Sequence, residues 1–403
     1  MLGHIFLIVA ITGLLASTVY LGLVVIAAVR FRVSARLDLE RSKGIGILPP
    51  VTVLKPVYGM EPMLEECLES FFQQEYPVYE LIFGARTEDD PALAVVHSLM
   101  RKYPRIPART VMSGHPTYPN AKVCLMEKMI PFASYPTLAI SDSDVRVAPD
   151  YLKQVVQPTM DESVGMVTCL YRGISTGGFW PRLEALGMSV EMSSGVLVAN
   201  LLEGMKFALG PTMVIRRTVL EGWGGFAALR DYCADDFVMG ALTHEAGKKV
   251  VLSHHVIDHV VVNRSARQSL LHQLRWMKSS RFSRRLGHIG TGLTFAMPFG
   301  LLGLAAGWMS GNWALGLGLL GLAFANRLFH ALVVGWGVTR DRQSARLCWL
   351  YPARDLLGFF LWCGSFLGSE IVWRQERYRL VAGGRMIRKQ PAGASSKRAG
   401  CTT

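Results

Sequence analysis

Two long segments without charged residues constrain the fold of this chain more than any other feature. From His4 to Val29 there is no Lys, Arg, Asp, Glu or Pro, and from Ile289 to Asn326 there is again no formal charge. Segments of this length can cross the roughly 30 Å hydrocarbon core of a bilayer. The first is too long for a cleaved signal peptide and has no basic region before it, so it predicts a membrane helix.

The second uncharged segment is too long for one span, and the turn-forming sequence Ser310-Gly-Asn312 divides it. It predicts a hairpin of two helices, at about 289–309 and 313–336. Arg327 then lies in the membrane or at its edge, where an ionisable residue is a candidate for function.

The basic residues next to the apolar segments predict the topology. Arg30, Arg32, Arg36 and Arg41 follow the first segment and place the next domain in the cytoplasm. A third apolar stretch, 356–373, is marginal in length, and a fourth span would put the basic residues after it outside. We therefore expect a re-entrant or interfacial element over 341–373.

Overall charge and cysteine usage restrict the class of protein. Lys and Arg total 43 and Asp and Glu 30, a net charge of +13. A basic chain can bind nucleic acid, membranes or phosphorylated ligands, but no nucleic-acid-binding signature is present. The cysteines are scattered without a C-x-x-C pair, which indicates a reducing compartment rather than a disulfide framework or a zinc site.

Residues from about 50 to 260 show alternating strand and helix patterns, which predict a mostly parallel α/β sheet. Strands are predicted at 51–54, 79–83, 109–112 and 137–141, and helices at 61–74, 91–102 and 121–132. Ligands in such sheets bind beyond the carboxyl ends of the strands. Asp90, Asp142 and Asp144 fall at such ends.

Asp142-Ser-Asp144 follows a buried strand, and its carboxylates are the oxygen ligands that Mg²⁺ and Mn²⁺ prefer. A short acidic pair can also be an ordinary turn. Asp90 and the pair Asp235-Asp236 can cap helices, or they can contact a nucleotide and act as a general base.

Residues 264–285 combine basic side chains with helical apolar spacing, which predicts an interfacial amphipathic helix. Within it, Arg275-Trp276 can anchor the helix at the interface or stabilise charge on a diphosphate. The loose cluster His254, His255 and His259 matches no strong zinc pattern, so we expect it to be structural or to line a pocket.

Taken in order, these motifs resemble the ceramide glucosyltransferase family, glycosyltransferase family 21, including its bacterial hopanoid-biosynthesis branch. The resemblance is carried from about residue 50 to 385 by seven elements: Thr52–Val57, Tyr79–Phe83 with Asp90-Pro91, Asn120-Ala-Lys122, Ser141–Asp144, Ala234-Asp-Asp236, the H-x-x-R-W at 272–276, and Trp373–Leu380. The family motif usually begins with Gln or Arg where this chain has His272. The family also often shows Pro where this chain has Ala121.

The resemblance implies a GT-A fold, Rossmann-like with a mostly parallel sheet, flanked by transmembrane helices. It implies an inverting transferase that moves glucose or N-acetylglucosamine from a UDP-sugar to a membrane lipid, either ceramide or a hopanoid such as bacteriohopanetetrol. It also implies a divalent metal, Mg²⁺ or Mn²⁺, and a cytoplasmic catalytic domain at a bacterial inner membrane.

Carried over by position, the resemblance implies a role for each motif residue. Asp236 would be the catalytic base, and Arg275 with Trp276 would close on the diphosphate and acceptor. Asp144 would hold the metal. The nucleotide-sugar would be bound by a larger set: Asp90, Lys122, Asp142, Asp235 and His272.

The predicted organisation has five parts. They are an N-terminal transmembrane helix (1–30), a cytoplasmic GT-A domain (31–263), a basic interfacial helix (264–287), a transmembrane or re-entrant region (288–375) and a basic, partly disordered tail (376–403). Two alternatives stay open: a processive polysaccharide synthase, and a non-catalytic adaptor that binds anionic lipid through residues 264–285.

Overall fold

The structure, a computed structural model, describes residues 1–41, 47–263, 265–373 and 376–389, with the backbone alone for 38–41. Arg264 of the predicted basic helix and residues 390–403 of the predicted tail lie outside these ranges.

A large mixed sheet forms the centre of the molecule. Its strands are β1 (Val51–Pro56), β2 (Tyr79–Ala85), β3 (Ala108–Met112), β4 (Thr137–Ile140), β5 (Val145–Arg146), β6 (Val164–Ser175), β7 (Met213–Arg216) and β8 (Lys249–Val261). They are ordered β3-β2-β1-β4-β7-β6-β8-β5. Strands β3, β2, β1 and β4 pair in parallel, as do β6 and β8. Only β7 and β5 pair antiparallel with their neighbours. The predicted mostly parallel α/β sheet of GT-A type is confirmed.

Helices cover the sheet, and three of them correspond to the helices predicted at 61–74, 91–102 and 121–132. They are α2 (Leu64–Phe72), α3 (Ala92–Lys102), α4 (Ala121–Met129), α5 (Tyr151–Val156), α8 (Arg217–Gly222) and α9 (Asp235–Glu245). Strands β1, β2 and β4 are buried along their whole length, as expected for central parallel strands covered on both faces. Pairing in parallel brings their carboxyl ends to one edge of the sheet.

Long apolar helices flank this domain. They are α1 (Leu2–Arg41), α6 (Phe179–Gly187) continued through a π-helical turn into α7 (Ser193–Glu203), α12 (Met297–Met309) and α13 (Trp313–Ala331). Within the described ranges, three stretches are long and apolar enough to cross a membrane: Leu2–Leu37, Phe179–Glu203 and Trp313–Trp336. The second of these was not predicted, because Arg182, Glu184 and Glu191 interrupt its apolar sequence.

Small residues allow these helices to approach closely. A Cβ atom on Gly13 of α1 would lie 2.2 Å from the Phe299 ring of α12, and one on Gly307 would lie 2.7 Å from Gly316 of α13. Packing through small residues is typical of helix contacts in membranes, where side-chain burial supplies little driving force.

The remaining elements lie between the apolar helices and the sheet. They are α10 (Ala266–Ser283), α11 (Arg285–Thr291), α14 (Arg342–Arg346), α15 (Tyr351–Ser365), β9 (Glu370–Trp373), β10 (Glu376–Leu380) and β11 (Met386–Arg388). Strands β9 to β11 form a small antiparallel sheet with β10 in the middle. Residues 376–389 are thus ordered strands and turns.

One boundary prediction in the C-terminal region was wrong. The first hairpin helix, predicted at 289–309, begins only at Met297, because the chain turns between α11 and α12. The error arose because hydropathy measures composition and does not locate the turn. The marginal apolar stretch 356–373 is divided between α15 and β9.

Arg327 has a structural partner. Its Nη1 lies 3.0 Å from Oδ1 of the buried Asp355 on α15. The other carboxylate oxygen of Asp355 accepts hydrogen bonds from the backbone N–H groups of Ala296 and Met297, at 3.0 and 2.8 Å. This pair therefore joins α13, α15 and the start of α12.

Candidate active site

The two carboxylates of Asp142-Ser-Asp144 emerge from the carboxyl end of β4. The strand is fixed there because the backbone N–H of Ser141 donates to the carbonyl of Leu54 in β1, at 3.1 Å. After Asp144 the chain continues into β5. The backbone carbonyl of Asp144 accepts a hydrogen bond from the N–H of Val260 in β8, at 2.8 Å. The pair thus lies at the carboxyl end of a central strand, where the sequence pattern predicted it, and the structure places it between the two parallel parts of the sheet.

Two buried lysines face this acidic segment. Lys122, on α4, forms an ion pair with Asp142 Oδ1. Burial acts to lower the pKa of Lys122, but Asp142 and Asp235 outweigh it, so the pKa is raised and the side chain stays charged. Lys55, on β1, donates to the carbonyl of Asp142 and lies 3.8 Å from the ring centroid of Phe71. Burial lowers the pKa of Lys55 to about 8.

His259, expected from the sequence to be structural or to line a pocket, lies beside Asp144 in the site. Its Nε2 lies 3.1 Å from Asp144 Oδ2. Burial acts to raise the pKa of Asp144, but His259 outweighs it and holds this pKa below its usual range. Burial likewise acts to lower the pKa of His259, but Asp144 raises it above the ordinary value. No sequence spacing indicated this pair, because β5, which directly follows Asp144, pairs with β8 only in the folded sheet.

Asp235 and Asp236 begin α9 and face the same region. Asp236 Oδ2 accepts from the backbone N–H of Gly210 at 2.7 Å, and Oδ1 accepts from that of Phe237 at 2.8 Å. A Cβ on Gly210 would lie 3.1 Å from Asp236 Oδ2 and 3.8 Å from Asp142 Oδ2. The structure therefore brings Asp142 and Asp236 together around the backbone of Gly210.

The two carboxylates of α9 have raised pKa values. Burial, and then the charge of Asp235, raise the pKa of Asp236 to about 6. Burial also raises the pKa of Asp235. An acid that titrates near neutral pH can exchange a proton with a substrate under physiological conditions, which is the property of a general base.

Asn120 connects the loop before α9 to the start of α4. Its Oδ1 accepts from the N–H of Val123 at 3.1 Å and so caps α4. Its Nδ2 donates to the carbonyl of Tyr232 at 2.9 Å and to Asp235 Oδ1 at 3.3 Å. One side chain therefore sets the positions of Lys122 and Asp235 relative to each other.

Asp90 lies at the same edge of the sheet, after β2. Its Oδ1 accepts from the backbone N–H groups of Gly59 and Ala92, at 2.9 and 3.0 Å. The side chain thus caps α3 and ties it to the loop after β1. Helix capping and contact with a nucleotide, the two roles considered for Asp90 from the sequence, are both compatible with this geometry.

The His272–Trp276 motif lies on α10. The rings of His272 and Trp276 are 4.2 Å apart between centroids, and burial lowers the pKa of His272. The Arg275 guanidinium lies 5.7 Å from the ring centroid of Trp373 in β9. The motif is therefore held between the apolar helices and the small C-terminal sheet.

Asp144 and His259 fit a divalent metal that is completed by a ligand. Among the described residues no group of three or more His, Cys, Asp or Glu side chains is placed to hold an ion alone. Asp144 Oδ1, however, is buried without a hydrogen-bond partner in the part of the chain that the structure describes. Metals that bind diphosphates use one or two protein carboxylates and take further ligands from the phosphates.

Comparison with known proteins gives consistent relatives. The family model for glycosyl transferase family 21 matches residues 9–386. Ceramide glucosyltransferase 1 of Caenorhabditis elegans is 27% identical over 358 residues, covering 84% of this chain and 73% of the relative. Ceramide glucosyltransferase of Komagataella phaffii is 38% identical over 110 residues, 26% of this chain and 22% of the relative. The mannosyltransferase PcManGT of Pyrobaculum calidifontis, solved with GDP-Man and Mn²⁺, aligns over 89% of this chain and 99% of its own, with 17% identity and a TM-score of 0.48.

Proposed function

The chain belongs to glycosyl transferase family 21, and on that premise we propose that it transfers a sugar from a UDP-sugar to a hydroxyl group of a membrane lipid. The match confirms the family inferred from the ordered motifs, and the protein is a glycosyltransferase. The observation that carries the finer proposal is the convergence of Asp142 and Asp236 at Gly210, in a domain flanked by membrane-length helices.

At the donor end, Asp144 with His259 would hold Mg²⁺ or Mn²⁺. When bound, the ion would neutralise the charge that develops on the departing UDP. Lys122 adds a fixed positive charge beside Asp142, and Arg275 is placed to add another. Asp90, Asp235 and His272 complete the proposed nucleotide-sugar site.

At the acceptor end, Asp236 is the proposed base. The lipid oxygen attacks the anomeric carbon, the bond from that carbon to the diphosphate oxygen breaks, and the hydroxyl proton passes to Asp236. Attack opposite the leaving group inverts the anomeric configuration. The backbone donors of Gly210 and Phe237 orient the carboxylate, and a pKa of about 6 leaves it ionised at neutral pH.

A cavity of about 240 Å³ next to α9 supports a lipid acceptor. Phe237, the residue after Asp236, lies in its wall and stacks on Phe207 at 5.9 Å between ring centroids. The candidate membrane helix Phe179–Glu203 ends there. A lipid leaving the bilayer along this helix would reach the neighbourhood of the proposed base.

The charges around the cavity favour a neutral headgroup. Glu203 pairs with Arg284, and Lys206 and Glu245 contribute one further charge of each sign. A cavity lined by equal numbers of positive and negative side chains does not select an anionic phospholipid. Ceramide or a hydroxylated hopanoid, in contrast, offers a neutral hydroxyl. Filling the cavity by Ala199→Trp or Ala241→Trp, from α7 or α9, should raise KM for the lipid and leave UDP-sugar binding unchanged.

The proposed placement follows the five-part division. Residues 1–30 anchor the chain, 31–263 form the cytoplasmic catalytic domain and 264–287 lie along the membrane surface. Residues 288–375 return through or into the membrane, and 376–403 follow as the C-terminal segment. The basic residues after α1 support a cytoplasmic face, in a bacterial inner membrane.

The deciding experiment uses the full chain, purified in detergent, with Mg²⁺ or Mn²⁺ and a panel of UDP-sugars. Ceramide and bacteriohopanetetrol are offered side by side, and the lipid products are identified by mass spectrometry. We expect one added glucose or N-acetylglucosamine, lost with EDTA. Asp236→Asn should abolish transfer while UDP-sugar binding persists, and Asp161→Asn, an exposed carboxylate, should have no effect.

Other products would favour the alternatives. A chain of many sugars would identify a processive polysaccharide synthase, and the absence of UDP release with every donor would identify a membrane adaptor. Full transfer by a folded Asp236→Asn variant would contradict the assignment of the base.

A further inference from the structure

Glu184, on the candidate membrane helix, is a buried carboxylate whose neighbours all belong to the segment that contains the His272–Trp276 motif. Its side chain is 1% exposed. Ser269 Oγ donates to Oε2 at 2.6 Å, and Asn263 Nδ2 lies 2.9 Å from Oε1 and 3.2 Å from Oε2. The third partner is His272, whose Nδ1 lies 2.9 Å from Oε1.

This arrangement selects one form of the imidazole. Asn263 Nδ2 also lies 2.9 Å from His272 Nδ1, so in the other tautomer Nδ1 would accept a hydrogen bond from the amide N–H. The carboxylate would then face a nitrogen lone pair at 2.9 Å, which is repulsive. Hydrogen bonds to a buried charge are the stronger ones, so Nδ1 carries the hydrogen and donates it to Glu184.

The remaining nitrogen then presents a lone pair. Burial lowers the pKa of His272, so the ring is neutral at neutral pH. A quarter of the side chain is accessible, and one ring face is covered by Trp276. His259, the partner of Asp144, is near enough for its charge to act on His272.

We propose that Glu184 is a positioning residue that holds His272 in the Nδ1–H form, so that Nε2 accepts a hydrogen bond from a hydroxyl group of the bound sugar nucleotide. A neutral ring whose free nitrogen is an acceptor cannot bind a phosphate oxygen. His272 therefore recognises a hydroxyl group of the sugar nucleotide, while the positive charge near the diphosphate comes from Lys122 and Arg275. This inference rests on the proposed function, because it needs a sugar-nucleotide donor.

A double-mutant cycle tests the coupling. Glu184→Gln keeps the shape of the side chain but removes the charge that selects the tautomer. In the wild-type background it should raise KM for the UDP-sugar about 10-fold with a smaller change in kcat. In the His272→Gln background the same substitution should change KM less than about 2-fold. Glu221→Gln, which alters an exposed glutamate of α8 outside the site and the cavity, is the matched control and should leave both constants unchanged.

A spectroscopic measurement needs no transfer activity. In the full chain with ¹⁵N-labelled histidine, the signal that His272→Gln removes should have the shifts of an Nδ1–H, Nε2-unprotonated ring. In Glu184→Gln that signature should weaken. If Glu184→Gln fails to fold, Glu184→Asp can replace it. Its side chain is one carbon shorter, so the charge lies further from His272, and the Nδ1–H signature should again weaken.

The outcomes separate the two proposals. If wild-type enzyme binds no UDP-sugar, the proposed function fails, and the NMR signal still reports the tautomer. If the wild-type enzyme transfers sugar but Glu184→Gln raises KM for the UDP-sugar by the same factor in the wild-type and His272→Gln backgrounds, Glu184 is only structural. An Nε2–H signature in the wild type would overturn the inference directly.

Discussion

Replacing Asp235 by Asn should move the acid limb of the pH–rate profile to lower pH. Asp235 is the second cause, after burial, of the raised pKa of its neighbour Asp236. Asparagine has nearly the same shape but no charge, so the ionised form of Asp236 becomes less unfavourable. Because the base acts when deprotonated, activity should then persist further into acid.

The structure bounds the size of this shift. The pKa of Asp236 is raised from 3.8 to about 6, a difference of about 2 units, and burial contributes the largest share. Asp235 is the second-largest cause of the raised pKa of Asp236, so its removal should move the acid limb to lower pH by on the order of 1 unit. The position of the limb is informative even if the variant is slower overall, because it does not depend on the maximal rate.

The assay is the kcat/KM for the UDP-sugar between pH 4.5 and 8, at constant ionic strength and saturating lipid, since this ratio reports the free enzyme. Asp231→Asn is the matched control, because Asp231 lies in the same loop but is 40% exposed and pairs with Arg230. Its acid limb should coincide with that of the wild type. A limb that stays in place or rises in Asp235→Asn would refute the assignment of Asp236 as the group that titrates.

Three further predictions follow from packing. Gly210→Ala should lower kcat about 10-fold without unfolding the protein, because its methyl group would lie 3.1 Å from Asp236 Oδ2. Gly195→Ala is the control: its methyl group would meet no atom within 4 Å, so kcat should not change. Asp355→Asn should cost about 3–5 kcal/mol by leaving Arg327 buried and unpaired, measured by unfolding in detergent; no loss would contradict a structural role for the pair. Lys55→Met should raise KM for the UDP-sugar more than it lowers Tm, because Lys55 holds the backbone of Asp142; an unchanged KM would count against this.

The linear arrangement of motifs identified the enzyme family before any contact between them was known. The predicted strand at 79–83 and the helix at 121–132 match β2, and α4 with the short helical turn after it. Both succeed because periodicity and capping act between residues a few positions apart. The carboxyl ends of parallel strands must share an edge, so Asp90 and Asp142 could be placed together in advance.

The apolar segments illustrate the limit of that reasoning. Leu2–Leu37 and Trp313–Trp336 could be recognised because uniform hydropathy identifies them. Phe179–Glu203 could not, because it carries charged residues whose partners lie far along the chain: Glu184 meets His272, and Glu191 meets Arg354 at 3.0 Å. A charged residue in an apolar helix looks unfavourable until its partner is known.

The sequence by itself determined the strands and helices of the first part of the sheet, the fold class, the family and the acidic residues from which a site could be built. Only the tertiary structure decided that His259 pairs with Asp144 and that the Gly210 backbone brings Asp142 and Asp236 together. Only it placed a buried glutamate of an apolar helix beside the imidazole of His272. The physical reason is separation: these contacts join residues from different elements, and no local pattern specifies which strand or helix a side chain will meet once the sheet has assembled.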